Sequence, residues 1–149
     1  LLSRAVMCKQ FSDAHTSTFA QATAAQYLKA GRMPATLDKV RQVYAVRAQT
    51  MCDALRQNLG DAISFVQPQG GLFVWASLTG AGGKVKDGNA FAKMAIEKGV
   101  AFVPGTPFFC QNPDHSTLRF SFATVGEDKI LEGVDRLRQA MDASVSASA

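Results

Sequence analysis

The sequence has few of the residues from which disulfide frameworks, metal centres and membrane spans are built. It holds only three cysteines and two histidines in 149 residues. Because Cys8, Cys52 and Cys110 are widely spaced and odd in number, they predict no disulfide framework and favour a reducing cytoplasm. His15 and His115 are too far apart in sequence to suggest a zinc site. No apolar run approaches the length of a membrane-spanning helix, so we expect no membrane association.

Clusters of like charge are also missing. The 16 lysines and arginines stand against 12 acidic residues, which gives a net charge of +4. The basic residues are dispersed, and the densest pairs are Lys84-x-Lys86 and Arg136-x-Arg138. A nucleic-acid-binding surface normally gathers such residues on one face or alternates them with aromatic side chains. We therefore expect no binding of nucleic acid by this chain.

Motifs for phosphate binding and for nucleophilic catalysis are incomplete or absent. Residues 79–88 are rich in glycine, but Lys84 is followed by Val85 where a P-loop requires serine or threonine. Val85 also stands where the dinucleotide fingerprint has its last glycine, so this segment is interpreted as a flexible surface loop. There is no G-x-S-x-G elbow of a serine hydrolase. Cys110 and His115 could form a nucleophile pair, but a small buried cysteine is the expectation for Cys110.

Hydrophobic periodicity predicts a helical first part of the chain. Helices are expected over residues 1–14 and 16–28, and Pro34 contributes to the end of the second one. A long helix over 37–59 follows, with an apolar stripe along one side. Arg47 lies near this stripe and is interpreted as a structural residue whose aliphatic stem covers apolar surface.

The remainder of the chain predicts strands alternating with helices. Asp87 is expected to cap a helix that ends near Lys98, and Thr124-x-x-Glu127 is a capping box for the last helix. The expected strands cover residues 63–67, 72–78, 100–103 and 117–123.

This order of elements, helices first and then β-β-α-β-β-α, defines the expected fold class. It is α+β, with a two-layer, few-stranded and mostly antiparallel sheet that has helices on one face, preceded by a long N-terminal helical segment. We expect residues 1–142 to form one domain without an internal boundary. Residues 143–149, rich in serine and alanine, are expected to be a disordered tail.

The last predicted strand carries the candidate binding residue. Leu118, Phe120 and Phe122 alternate with Thr117, Arg119, Ser121 and Ala123. The guanidinium of Arg119, flanked by small residues, matches a carboxylate with two parallel hydrogen bonds. A strand arginine that is solvated or paired with an acidic residue is the alternative at this point.

Three segments taken together resemble a known family. They are residues 68–75 (PQGGLFVW), 99–109 (GVAFVPGTPFF) and 118–123 (LRFSFA). In this order they resemble the C-terminal part of class I/II aminotransferases, which are fold-type-I enzymes that use pyridoxal 5′-phosphate (PLP). The beginning of the chain resembles the 2-aminoadipate and multisubstrate branch, through Lys9-Gln10, Asp13, His15-Thr16-Ser17, Gln21 and Tyr27-Leu28. The resemblance extends to about Met141.

The resemblance implies a role for Arg119 and a place for this chain in a larger enzyme. It implies that Arg119 grips the α-carboxylate of an amino acid or 2-oxo acid and that the intact enzyme uses PLP and forms a homodimer. In this family the lysine that holds PLP and the aspartate that pairs with its ring nitrogen lie earlier in the sequence, and Lys9 falls after the lysine position. We therefore expect the large PLP-binding domain to be absent and this chain alone to bind no cofactor, hold no metal and be inactive.

Two readings of function stay open at this stage. The first is the C-terminal part of a PLP-dependent aminotransferase, with aminoadipate, aromatic and branched-chain amino acids all possible substrates. The second is a non-catalytic module, either an orphan small domain or the effector domain of a MocR-like transcription regulator.

Overall fold

The structure of the chain is a computed structural model that describes residues 1–81 and 84–146. It divides into two compact units, Leu1–Arg41 and Gln42–Ala149, whereas the sequence predicted no internal boundary. The division follows from burial, because within the described residues the first two helices bury no side chain of their own. That residues 1–142 are a small domain with its connecting helices stays a prediction.

The first unit contains α1 (Leu2–Ser12), α2 (Thr18–Lys29) and the start of α3 (Met33–Leu59). The Ser17 side chain caps α2 by accepting a hydrogen bond from the Ala20 amide at 3.5 Å. Pro34 was expected to end α2, but it lies in the first turn of α3. Proline is tolerated there because a first-turn amide has no partner inside the helix.

The second unit is an α+β fold, which confirms the predicted class. Its four strands form one antiparallel sheet in the order β1-β2-β4-β3. The strands are β1 (Ile63–Phe65), β2 (Phe73–Leu78), β3 (Val103–Pro104) and β4 (Thr117–Ser121), with 3₁₀ turns at Gly60–Ala62 and Thr106–Phe108. The helices that accompany them are the rest of α3, α4 (Gly88–Glu97) and α5 (Glu127–Ser146).

One face of this sheet is covered by the helices and forms the core. One side of α5 is an apolar stripe that is buried, and so are Leu118, Phe120 and Phe122 of the β4 segment. The fully buried side chains of this core come from α3, α4, α5 and the sheet: Cys52, Leu55, Val74, Phe91, Leu118, Phe122, Ile130 and Met141. The two-layer arrangement leaves the opposite face of the sheet without helices from this unit.

Two local expectations about element ends are corrected by the structure. The strand expected over 100–103 is reduced to Val103–Pro104, because only these two residues pair with β4 and Pro104 has no amide to extend the ladder. The capping box is not formed, since α5 begins at Glu127 and its first turn closes with the Ile130 amide on the Gly126 carbonyl. Glu127 and Asp128 instead place negative charge at the helix N-terminus.

Residues 143–146, which were expected to belong to a disordered tail, are helical. Helix α5 continues to Ser146, and the Ser144 hydroxyl donates to the Met141 carbonyl at 2.6 Å while its side chain is buried. Residues 147–149 lie outside the described residues, as do Gly82 and Gly83 of the glycine-rich loop. Among the described helices none is long and apolar enough to cross a membrane.

The predicted cap of α4 provides a test of stability. Asp87 Oδ1 accepts hydrogen bonds from the amides of Ala90 at 3.0 Å and Asn89 at 2.7 Å. The bond from the Ala90 amide is the main cause that lowers the pKa of Asp87 from its usual value. Replacing Asp87 by alanine is expected to cost about 1 kcal/mol in the free energy of unfolding at neutral pH.

The pH dependence of that cost follows from the direction of the pKa shift. Because the pKa is lowered in the folded chain, the stabilisation is complete above the unfolded-state pKa of about 4 and is lost as pH falls through the folded-state pKa. Urea unfolding of wild type and D87A at neutral and strongly acidic pH measures it. The control is D38A, which removes an exposed carboxylate of α3, and an equal loss in both variants would contradict the cap.

Candidate functional site

Arg119 lies at the centre of β4, on the sheet face that the helices of this unit leave open. It is directly opposite Trp75 of β2 and Val103 of β3, so these three side chains share one face. Phe73 of β2 pairs with Ser121 and therefore lies on the same face. The predicted division of β4 into an apolar face and an Arg119 face is thus observed.

Two phenylalanine rings contact the guanidinium of Arg119. Its Cζ atom lies 4.2 Å from the centre of the Phe73 ring and 4.5 Å from the centre of the Phe108 ring. Each cation–π contact of this kind contributes about 0.5–1 kcal/mol at an exposed site. Both rings remain partly exposed, at 40% for Phe73 and 48% for Phe108, so the cluster faces outward.

Among the described residues, Arg119 differs from the other arginines of the second unit in having no acidic partner. Arg47, Arg56, Arg136 and Arg138 each lie within 4.0 Å of a carboxylate oxygen. Among the described residues no carboxylate lies that close to Arg119, and its buried Nε has no hydrogen-bond partner. A buried charged donor without a partner is costly, and this arrangement leaves the guanidinium free to bind an external anion.

A tight turn brings Phe108 to Arg119. The Gly105 amide donates to the Thr117 carbonyl at 2.7 Å, which fixes the turn against β4. A Cβ atom on Gly105 would collide with the Thr117 side chain and approach Trp75 Cη2 to 3.0 Å, so only glycine fits there. Thr106 Oγ1 accepts a hydrogen bond from Asn89 Nδ2 at 3.2 Å and anchors the turn to α4.

The three sequence motifs therefore meet at one place. Phe73 comes from residues 68–75, Phe108 from 99–109 and Arg119 from 118–123. Sequence reasoning identified only Arg119 as a site residue and missed the two phenylalanines. The signal was present, because both are the phenylalanines that end the P-x-G-G-x-F and P-G-x-x-F patterns.

A cavity of about 320 Å³ adjoins Arg119 where β3 ends early. Arg119, Phe73 and Ser121 line it on the β2 and β4 side. Its other walls are mostly apolar side chains of α3 and α5, including Met51, Leu55, Ile130, Val134 and Leu137. Lys129 also lines it, but the Lys129 ammonium is paired with Glu132 at 2.7 Å.

The other residues that the sequence analysis considered do not contact the guanidinium of Arg119 in the described part of the chain. Arg47 donates from Nη1 to the Ala123 carbonyl at 2.7 Å and its Nε lies 3.9 Å from Glu127, which agrees with a structural role. Cys110 is exposed, so the expectation of a buried cysteine is wrong; it lies in the loop after the Phe108 turn. His115 Nδ1 lies 3.4 Å from Thr106 Oγ1. No group of three or more metal-ligating side chains is found among residues 1–81 and 84–146.

Comparison with known proteins gives consistent matches. The family described as aminotransferase class I and II matches residues 4–137. The chain is 38% identical over 140 residues to 2-aminoadipate transaminase of Thermus thermophilus, covering 94% of this chain and 34% of the relative. It is 35% identical over 133 residues to aromatic-amino-acid aminotransferase 1 of Thermococcus litoralis, and this match covers 89% of this chain and 31% of the relative.

A solved structure agrees with the sequence matches. The crystal structure of LysN, an α-aminoadipate aminotransferase of Thermus thermophilus complexed with N-(5′-phosphopyridoxyl)-L-leucine, superposes with a TM-score of 0.84 at 35% identity. The match covers 98% of this chain and 36% of LysN. The chain thus spans about a third of the length of the relatives it matches.

Proposed function

Because the chain belongs to the class I and II aminotransferases, we propose that it is the part of such an enzyme that binds the substrate α-carboxylate through Arg119. The reaction of the whole protein is then the transfer of an amino group between an amino acid and a 2-oxo acid. The observation that carries this proposal is the guanidinium of Arg119 on the open sheet face, whose Nε has no hydrogen-bond partner and which no carboxylate approaches within the described part of the chain.

The physical basis is the match between the free donors and the ligand. A carboxylate is planar and can accept two parallel N–H bonds from the guanidinium, and such charge-assisted bonds are about twice as strong as neutral ones. The aromatic neighbours exclude part of the water, which strengthens the attraction between opposite charges. Truncating one partner of a hydrogen-bonded charge pair that becomes buried in the complex typically costs about 2–5 kcal/mol of binding free energy.

The family implies PLP as the cofactor of the intact enzyme, where it supplies an electron sink for the substrate. The described residues do not fit a site for it. Among the described residues that line the cavity beside Arg119 there is no acidic side chain, and the lysine there, Lys129, is already paired with Glu132 at 2.7 Å. We therefore propose that this chain contributes substrate binding and that cofactor binding requires residues it does not provide.

Carboxylate binding can be tested directly on the 149-residue chain. The Arg119 Nε–H resonance is followed by ¹⁵N-edited NMR while sodium acetate is added, with acetamide as a neutral ligand of similar shape. Acetate is expected to shift the Arg119 resonance in a saturable way, whereas acetamide is not. The Arg56 resonance is the internal control, since Arg56 is already paired with Asp53 at 3.2 Å. Equal shifts of both arginines would show only nonspecific screening and refute the proposal.

Turnover by this chain alone is expected to be undetectable. The chain is incubated with PLP, 2-aminoadipate and 2-oxoglutarate, then reduced with borohydride and examined by mass spectrometry. The 2-aminoadipate transaminase of Thermus thermophilus serves as the positive control. We expect no glutamate formation and no PLP adduct at one preferred lysine, since Lys129, the lysine among the described residues that lines the cavity beside Arg119, is paired with Glu132. Turnover together with a single-site adduct would contradict this expectation.

The non-catalytic module remains the second candidate, and exposed apolar surface bears on it. Helix α1 leaves Leu2, Val6, Met7 and Phe11 exposed by 48% or more. Large exposed apolar surface is typical of a face that another part of a protein covers, which favours a piece of a larger enzyme over a stand-alone module. Reading the coding DNA upstream of Leu1 separates the two: an open frame with a PLP lysine supports the enzyme, and a nearby stop supports the module.

Cytoplasmic location and a homodimeric intact enzyme stay predictions. The family match supports an amino acid and a 2-oxo acid as the substrates. We propose no particular amino acid, since Arg119 would recognise a group that every amino acid carries.

A further inference from the structure

Aromatic rings from two segments distant in sequence hold the one arginine proposed to bind substrate. We propose that Phe73 and Phe108 are positioning residues, which fix the guanidinium of Arg119 so that its N–H donors point to the incoming carboxylate. This inference rests on the proposed carboxylate binding by Arg119. It assigns a function to two motif residues that sequence analysis left without one.

The need for positioning follows from the length of the arginine side chain. An arginine on an open sheet face samples many rotamers, and ordering it on ligand binding costs conformational entropy. Two ring contacts, at 4.2 Å and 4.5 Å, offset this cost before the ligand arrives. A preorganised group binds more tightly, because less conformational entropy is lost when the ligand binds.

Aromatic rings suit this task better than an acidic residue would. A ring attracts the cation through its face and uses none of the N–H donors that lie in the guanidinium plane. A carboxylate partner would hold Arg119 equally well but would occupy those donors. The other arginines of the second unit have such carboxylate partners, and Arg119 has two rings instead.

The two rings are themselves held by the strands that surround Arg119. Phe73 lies on β2, whose pairing with β4 places it opposite Ser121. The Phe108 amide donates to the Gly105 carbonyl at 2.9 Å, and Gly105 is in turn bound to Thr117 of β4. The Trp75 ring packs edge-on against Phe108 with a centroid distance of 5.6 Å. Both rings are therefore held in place relative to β4, the strand that carries Arg119.

Phe109 provides a matched control next to Phe108. Its ring lies 6.3 Å from Trp75, and it is exposed by 37% compared with 48% for Phe108. Of the ring contacts in the described residues, those to the Arg119 guanidinium come from Phe73 and Phe108 and not from Phe109. Replacing Phe109 by leucine therefore removes a similar ring and leaves the contacts of Phe73 and Phe108 with Arg119 in place.

The test uses the 149-residue chain and sodium acetate as the probe. The Nε–H order parameter of Arg119 is measured without ligand, and acetate affinity is measured by NMR titration, in wild type, F73L, F108L and F109L. We expect F73L and F108L each to lower the order parameter and to weaken acetate binding about twofold to fivefold. F109L is expected to match wild type, and F73Y to restore both values because it keeps the ring.

The outcomes separate this inference from the proposed function. If wild type binds acetate at Arg119 but F73L and F108L leave the affinity and the order parameter unchanged, the positioning role is overturned and the proposed function stands. If wild type shows no acetate binding at Arg119, both are overturned. Circular dichroism verifies folding, and because both rings are partly exposed F73Y supplies a folded reference should a leucine variant unfold.

Discussion

Replacing Arg119 by leucine is expected to abolish carboxylate binding while changing the free energy of unfolding by no more than about 1 kcal/mol. The substitution removes two cation–π contacts, which destabilises the fold by roughly 1–2 kcal/mol in total. It also removes a buried Nε without a hydrogen-bond partner, whose presence costs about 1–3 kcal/mol. The two effects are of similar size and opposite sign, so stability changes little. Acetate titration and urea unfolding of the same variant measure both quantities.

Arg47 is the control that distinguishes a binding arginine from a structural one. Its bond to the Ala123 carbonyl and its proximity to Glu127 are internal contacts. Replacing Arg47 by leucine removes this hydrogen bond from a charged donor, worth about 1.5–3 kcal/mol, and also a buried Nε that, like Arg119 Nε, has no hydrogen-bond partner. The two terms oppose each other, so the net change in the free energy of unfolding is expected to stay within about 2 kcal/mol. Acetate affinity at Arg119 is expected to stay unchanged. If R47L weakened acetate binding as much as R119L does, the proposed role of Arg119 would be wrong.

Replacing Gly105 by alanine is expected to lower the free energy of unfolding, because the added methyl group has no room in the 104–108 turn. The new Cβ would lie 2.6 Å from Thr117 Cβ and 3.0 Å from Trp75 Cη2, so the turn has to move away from β4. Overpacking of this kind costs about 1–3 kcal/mol. Gly105 has a φ of −76°, so the cost is steric and does not come from backbone strain.

The same substitution at Gly70 is the matched control. A Cβ added to Gly70 meets no atom within 4 Å, and alanine there is expected to be neutral or slightly stabilising because it restricts the unfolded chain. Urea unfolding compares G105A with G70A. G105A is also expected to move the Phe108 ring away from Arg119, which the Arg119 Nε–H resonance reports. Equal stabilities of the two variants would show that the turn adapts and would contradict the prediction.

The features of this fold that depend on side-chain spacing within one helix or strand could be predicted most directly. The buried stripe of α5, the cap at Asp87 and the two faces of β4 all follow from side-chain spacing along a single element. Element ends were less predictable. The prediction of a capping box at Thr124 and Glu127 was wrong, because the helix begins at Glu127. The predicted strand before Pro104 was longer than the observed one, because only two residues of β3 pair with β4.

Side-chain alternation along β4 was enough to predict that Arg119 lies on the face opposite to Leu118 and Phe120, because alternate residues of a strand face opposite sides. The sequence by itself also determined the family, since the three motifs occur in the right order. Only the tertiary structure decided that Phe73 and Phe108 contact Arg119 and that no acidic side chain pairs with it among the described residues. These contacts depend on the register of β2 with β4 and on the turn at Gly105, which join residues far apart in the chain and therefore cannot be deduced from local spacing.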